Sequence, residues 1–232
     1  MKTFRDFLNN NYISEAYDDI VIDDKTGKFV PLNSKELKRL VRSKKTDLSK
    51  IDVSRVYDMS WVFDKSKRTD FSGLETWDVS HVKDMRGMFA NCKYFTGKEV
   101  ENWNISSAKW IYGIFAHCEH FTANLSRWDV SHLKELQDVF LHCERFTGKG
   151  LETWNVSNVN EMFDTFSGCK KLNGKYIEKW NLKSLDYNSG DPQYIFGGSS
   201  LMDYDQSDIY ENVPKNFLEN FEKRKHLNSN DK

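Results

Sequence analysis

The stretch Trp77-Asp78-Val79-Ser80-His81-Val82-Lys83-Asp84-Met85-Arg86-Gly87-Met88-Phe89 decides the reading of this chain, because it returns. Its tryptophan recurs at Trp103, Trp128, Trp154 and Trp180, at intervals of 26, 25, 26 and 26 residues, and Ile51 holds the same place 26 residues before Trp77. A fixed internal period of this length marks a repeat architecture, in which each unit buries its apolar edge only against its neighbours. Six units result. Each carries an apolar residue three before the marker and another two after it, from Leu48-x-x-Ile51-x-Val53 to Ile177-x-x-Trp180-x-Leu182.

Within a unit, the alternation at Trp-x-Val has the period of a short strand with one buried face. A serine follows in five units, at Ser54, Ser80, Ser106, Ser131 and Ser157, and then apolar residues recur at helical spacing: Val82, Met85, Met88, Phe89 and Cys92, and again Val159, Met162, Thr165, Phe166 and Cys169. The expectation is a strand followed by a helix, with the serine as N-cap and Asp58, Asp84, Glu135 and Glu161 supplying negative charge to the first helical turn. Gly97, Gly148 and Gly174 then permit left-handed turns. The fold expected is an α/β repeat solenoid, a leucine-rich-repeat-like pile of about six strand-helix coils of 25–26 residues with a cap at each end. Its core is a set of ladders: Trp77, Trp103, Trp128, Trp154 and Trp180; Phe89, Phe115, Phe140 and Phe166; and Cys92, Cys118, Cys143 and Cys169.

The cysteines follow the same period, which is neither a CxxC metal pattern nor a dense disulfide framework. They fall where a helix face wants a small hydrophobe, so buried structural thiols are expected and no metal. The chain has 232 residues, 38% hydrophobic and 30% charged, and a net charge of −1. No overall positive excess draws it to nucleic acid or anionic lipid, so a partner surface must be local. The N-terminus lacks the apolar stretch of a signal peptide and no run of about 18 apolar residues offers a membrane span, which leads to a cytoplasmic expectation.

The phrases Trp77 to Phe89 and Ile51-Asp-Val-Ser-Arg-Val-Tyr-Asp-Met-Ser-Trp-Val-Phe63 resemble the BspA-type leucine-rich repeat, in the variant abundant in Mycoplasma and gut-bacterial surface proteins and also found in phage genomes. The resemblance spans roughly residues 34 to 182. It implies a parallel repeat body and an interaction role, and it brings no catalytic residues. Many such proteins are exported adhesins, an attribute that does not transfer to a chain without an export signal.

The organisation expected is an N-terminal cap over residues 1–47, the repeat body over 48–182, and a degenerate last coil with a capping helix and frayed tail over 183–232. The first cap reads as a helix around Phe4 to Leu8, a hairpin of Ile20-Val-Ile22 with Lys28-Phe-Val30, and an amphipathic helix begun by Ser34. Pro214 to Lys225 reads as the closing helix, with Phe217 and Phe221 on one face.

No Ser-His-Asp order, HExxH or glycine fingerprint stands out, so the chain reads as a non-enzyme without cofactor. The Gly-Lys pairs at Gly97-Lys98 and Gly148-Lys149 lack the rest of a phosphate loop and recur because the turn recurs. The candidate binding surface is the outward row beside the tryptophans: Asp78, Asn104, Asp129 and Asn155, with Arg127, Lys179, His81 and His132. Such an Asp/Asn ladder can equally serve the backbone. The function expected is a monomeric protein-binding module of bacterial or phage origin that engages a cellular protein through a concave strand face. The alternatives are an assembly component of a larger particle, using the caps or the Lys98, Lys149 and Lys175 edge, or an adhesin-like protein.

Overall fold

The computed structural model describes residues 20–186, 188, 190–202 and 210–230, with side chains through Lys225. The helix expected around Phe4 to Leu8 lies outside the described residues. The described residues open with a hairpin, β1 (Val21–Ile22) against β2 (Phe29–Val30), where Gly27 at φ +67 closes the turn that Asp23 organises through its carboxylate. Helix α1 (Ser34–Arg42) follows. Its cap is Asn33 rather than Ser34: the Asn33 side chain accepts from the Glu36 N–H at 3.0 Å, and the Glu36 carboxylate reaches back to the Leu32 N–H at 2.8 Å. Leu37, Leu40 and Val41 face inward, and β2 joins the first repeat through a parallel bridge from Phe29 to Ile51.

The strand-helix coil expected for each repeat does not form. Among the described residues, the repeats contain no α-helix and no strand beyond isolated bridges; they are built of turns and three-residue 3-10 segments such as Leu48–Lys50, Leu74–Thr76 and Leu151–Thr153. Two local causes account for the difference. In the apolar segment after the marker, each of the first five repeats places two residues at left-handed φ four apart, such as Gly87 and Asn91, Gly113 and His117, and Asp138 and His142. A left-handed residue ends helix propagation. The segment therefore runs as successive tight turns, Met88 N–H to Met85 O at 3.2 Å and Cys92 N–H to Phe89 O at 3.0 Å. Intervening N–H groups point to the next repeat: Met85 to Trp110 O, Gly87 to Tyr112 O, Phe89 to Ile114 O, and Asn91 to Ala116 O, at 2.7 to 3.0 Å. Two turns of three to four residues place apolar side chains at nearly the spacing of a helix, which is what the sequence pattern registered.

At the Trp-x-Val end, the Trp77 N–H bonds back to Leu74 O within its own repeat. The link between repeats is carried by side chains instead. Trp77, Trp103, Trp128, Trp154 and Trp180 each donate the indole N–H to a carbonyl of the preceding repeat at 2.8 to 3.0 Å, on Leu48, Leu74, Val100, Leu125 and Leu151. The cysteines do the same on the other side of the core: the Cys92, Cys118, Cys143 and Cys169 thiols point at the carbonyls of Phe63, Phe89, Phe115 and Phe140 at 3.0 to 3.1 Å.

Between these rows the phenylalanines run through the core. Phe89 to Phe115 and Phe115 to Phe140 are 6.0 Å between ring centroids, and Phe140 to Phe166 is 5.6 Å, each pair near parallel. Phe95, Phe121 and Phe146 interleave with them at 4.1 to 4.3 Å. Burial of such rings, all at zero exposure, is the main source of stability.

At the far end, residues of the short helix α2 (Pro192–Phe196) take the place of the sixth repeat's turn segment: Asp164 N–H bonds to Tyr194 O, Phe166 N–H to Ile195 O, and Phe196 stacks on Phe166 at 5.8 Å. Helix α3 (Lys215–Asn230) closes the core with Phe217 against Trp180 and Phe196, and its backbone continues through the 226–230 segment expected to fray. Asn216 and Asn220 donate to the last carbonyls of the sixth repeat, on Ile177, Trp180 and Leu182. Gly97 and Gly148 take left-handed φ as expected; Gly174 does not.

Candidate functional site

The outward Asp/Asn row serves the backbone. Asp78, Asn104, Asp129 and Asn155 are exposed, and each side-chain oxygen accepts the N–H of the serine two residues on: Ser80 at 2.9 Å, Ser106 at 3.1 Å, Ser131 at 2.9 Å and Ser157 at 3.1 Å. Asp52 does likewise for Ser54, and Asn181 accepts the Lys183 N–H in the same way. These are Asx turns, and they replace the serine N-caps expected from the sequence. The Ser80 hydroxyl and backbone hold the Asp78 carboxyl below the usual carboxylate range, and Ser131 does the same for Asp129.

His81 and His132 are occupied too. A ring nitrogen of His81 contacts Val53 O at 3.2 Å and that of His132 contacts Ala108 O at 2.7 Å, in both cases reaching the preceding repeat. Asn158 and Ser184 hold the same place and bond Ser131 O and Ser157 O, so the position is a cross-repeat tie. Arg127 and Lys179 are exposed, and Lys179 lines a hollow of about 650 Å³ with Lys175 and Lys215. The eight residues do share one side of the repeats, but six of them are engaged in holding it.

The opposite side, made by the turn segments, carries a cluster that the sequence reading passed over. Asp84, 7% exposed, occupies a bridge position between Asp58 and Trp110. Its carboxylate grips the Arg86 guanidinium at both oxygens, at 2.9 Å to Nε, and this pairing raises the arginine pKa further. The guanidinium lies over the rings of Trp110 and Tyr112, 5.6 and 5.7 Å from their centroids. Trp61 meets Tyr112 edge to face at 6.5 Å and lies across Gly87. Trp61 and Trp110 are 41% and 43% exposed. Asp84 was expected to complement a helix dipole; with no helix there, it orients Arg86 instead.

The signal for this cluster was present. Trp61 and Trp110 are the two of the seven tryptophans outside the 26-residue series, and Arg86, Tyr112 and Phe163 occupy one repeat position whose identity changes from copy to copy. Phe163 stacks on Tyr194 at 4.9 Å, and both are exposed on this side. The polar neighbour column holds Lys83, Lys109 and Lys134, all exposed, with Lys109 5.9 Å from the Trp110 ring.

The four cysteines are free and buried, and burial pushes the Cys92 thiol up to about 12 and raises the other three as well. His117 and His142 stack at 5.0 Å at the left-handed positions of neighbouring repeats. Among the described residues, no helix is long and apolar enough to cross a membrane.

Comparison with known proteins finds one family model, described as Mycoplasma protein of unknown function, DUF285, which matches residues 34–152 and again residues 112–231. No curated protein and no solved structure matches the chain.

Proposed function

The chain belongs to the DUF285 family of Mycoplasma proteins, and from the chemistry of its exposed turn face we propose that it is a non-enzymatic protein-binding repeat module. The cluster of Trp61, Arg86, Trp110 and Tyr112 carries this reading. Trp, Tyr and Arg are the residues that dominate protein interfaces, and they do so where their geometry is set in advance. Here Asp84 fixes the guanidinium, the guanidinium fixes two rings, and the glycine under Trp61 lets its ring lie flat on the backbone. Little conformational entropy is left to lose on binding.

The repeat frame supports the same reading. Buried positions keep their residue types from copy to copy, whereas the exposed turn positions do not, as a surface adapted to one partner requires. We place the partner face on the turn side rather than on the Asp/Asn row, because that row is committed to Asx turns and cross-repeat ties. Kinship with BspA-type repeats, carried by the Trp77 to Phe89 phrase, fits a binding role.

Capture from a lysate of the encoding organism, compared across three forms of the protein, tests this. The reading expects wild type and an Asp78→Asn, Arg127→Gln, Asp129→Asn, Lys179→Gln variant to enrich the same protein, and a Trp61→Ala, Trp110→Ala variant to lose it at an unchanged circular dichroism spectrum. Loss in the first variant and retention in the second would move the site to the outward row.

A further inference from the structure

The net charge of −1 conceals a local excess. Residues 34–68 hold eleven lysines and arginines and five acids, a net +6. The fold gathers these cations at the N-terminal end. A hollow of about 680 Å³ is lined by Ser34, Lys35, Lys38, Arg39 and Arg42 of α1 together with Asp58. A second, of about 340 Å³, has Arg42, Lys44, Lys65 and Lys67 in its wall, so Arg42 borders both.

The acids of this region are already engaged. Glu36 accepts from Leu32 and Asn33, Asp47 from Ser49, Asp52 from Ser54, Asp58 from Ser60, and Asp64 from Asn91. Arg68 is buried, with its guanidinium on the carbonyls of Ser43, Thr46 and Asp70, which fixes the loop carrying Lys44 and Lys45 against the first repeat. The Ser34 hydroxyl, in the wall of the larger hollow, is buried without a hydrogen-bond partner among the described residues.

We propose that this basic end holds the phosphate backbone of a single-stranded nucleic acid. Lys35 to Arg42 spans about 10 Å along α1, at 1.5 Å per residue, and Lys44, Lys65 and Lys67 extend the array around the second hollow. That is room for several phosphates at once, and multiple phosphate neutralisation is the main source of sequence-independent binding. The wall of the larger hollow contains no apolar side chain, and Val41, Val62 and Phe63 in the wall of the smaller one are buried in the core, so a peptide would find no open pocket for an anchor and a membrane surface no apolar face to enter. A phosphate backbone needs neither. The unbonded Ser34 hydroxyl supplies a neutral donor for a phosphate oxygen. This site is separate from the Trp61, Arg86, Trp110 and Tyr112 cluster, so either can fail without the other.

Anisotropy of a fluorescently labelled 20-nucleotide single strand, titrated with the full chain, tests the proposal. Three or more phosphate contacts predict roughly 20-fold weaker binding between 50 and 200 mM salt. A variant carrying Lys35→Gln, Lys38→Gln, Lys44→Gln and Lys67→Gln, which spares the buried face of α1, should bind at least tenfold more weakly with a flatter salt slope. Trp110→Ala should bind as wild type. No binding at 50 mM salt, unchanged binding by the quadruple variant in its folded form, or equal competition by polyglutamate of matched charge would each overturn it, the last by showing a surface for acidic protein.

Discussion

The Trp128 indole donates its N–H to the carbonyl of Val100, in the repeat before, across 3.0 Å. The ring is thus both a core residue and a second donor to a carbonyl that already accepts the Trp103 N–H within its own turn. The two contributions separate by mutation. Trp128→Phe keeps most of the burial and removes one of the two bonds on the Val100 carbonyl, at a cost of about 1 kcal/mol, whereas Trp128→Ala adds a cavity and costs about 3 to 5 kcal/mol. Urea denaturation of both variants checks this. A Phe variant as stable as wild type would show the bond to be idle.

The Asp/Asn row makes a complementary prediction. Asp78 and Asn104 do the same work through the same oxygen, so Asp78→Asn should be close to neutral, while Asp78→Ala should cost about 1 kcal/mol through the lost Asx turn. The Asp78 carboxyl sits below its usual range in the folded state, so its contribution is present above the ordinary carboxylate pKa and fades as pH falls through the folded value. The stability gap between wild type and Asp78→Ala should therefore narrow in acid, by thermal melts at pH 7 and pH 3. A gap independent of pH would assign the effect to helix-free backbone propensity instead.

The period and the core were legible because burial is what a 26-residue recurrence records: Trp103, Phe115 and Cys118 are where the pattern puts them. The secondary structure was not. Spacings of three and four at Val82, Met85, Phe89 and Cys92 describe one side of a helix and a succession of tight turns equally well. What distinguishes them is the pair of left-handed positions, which glycine advertises only at Gly87, Gly113 and Gly168; Asn91, His117, Asp138 and His142 adopt the same φ with ordinary side chains. The bonding of the Trp and Cys side chains was hidden for a similar reason, since a residue that is buried and one that is buried and donating look alike in sequence. The aromatic cluster lies off the 26-residue period, with Trp61 and Trp110 outside the tryptophan series, so the recurrence that marks the core does not mark it.

The stacked imidazoles of His117 and His142 predict an acid-sensitive seam between the third and fourth repeats. Burial, and then the neighbouring His142, lowers the His117 pKa below its ordinary value, with Glu119 opposing. A base whose folded pKa is lowered gives stability that is complete above the unfolded value, near 6.5, and is lost as pH falls toward the folded one. The melting temperature should drop from pH 7.5 to pH 5.5, and His142→Gln should reduce that drop. An undiminished drop in the variant would remove the pair from the account.

The thiols should be slow to react. Cys118 and Cys143 are fully buried, donate to Phe89 and Phe115 carbonyls, and have their pKa raised by burial, so almost no thiolate exists at pH 8. A thiol reagent should label none of the four rapidly in the native protein and all four rapidly in denaturant. Fast labelling of one would show that its repeat opens locally.

Gly87 and Gly113 hold one repeat position at φ +56 and +63, yet they should respond differently to substitution. A side chain at Gly113 meets only ordinary contacts, the nearest being Asp138 Cβ at 3.9 Å, while one at Gly87 collides with the Trp61 ring. The next repeat tolerates Asp138 at φ +56, and asparagine is among the residues most at ease in this region. Gly113→Asn should therefore be nearly neutral in a urea titration. Gly87→Asn should cost about 1 to 3 kcal/mol and push Trp61 off its seat, because the backbone angle is equally acceptable and only the ring stands in the way. The same variant should lose partner capture if Trp61 and its neighbours form the binding face, since the cluster's preset geometry is what it destroys. Equal stability of the two asparagine variants would mean that Trp61 does not rest on Gly87 in solution, and the arrangement of the aromatic cluster would fall with it.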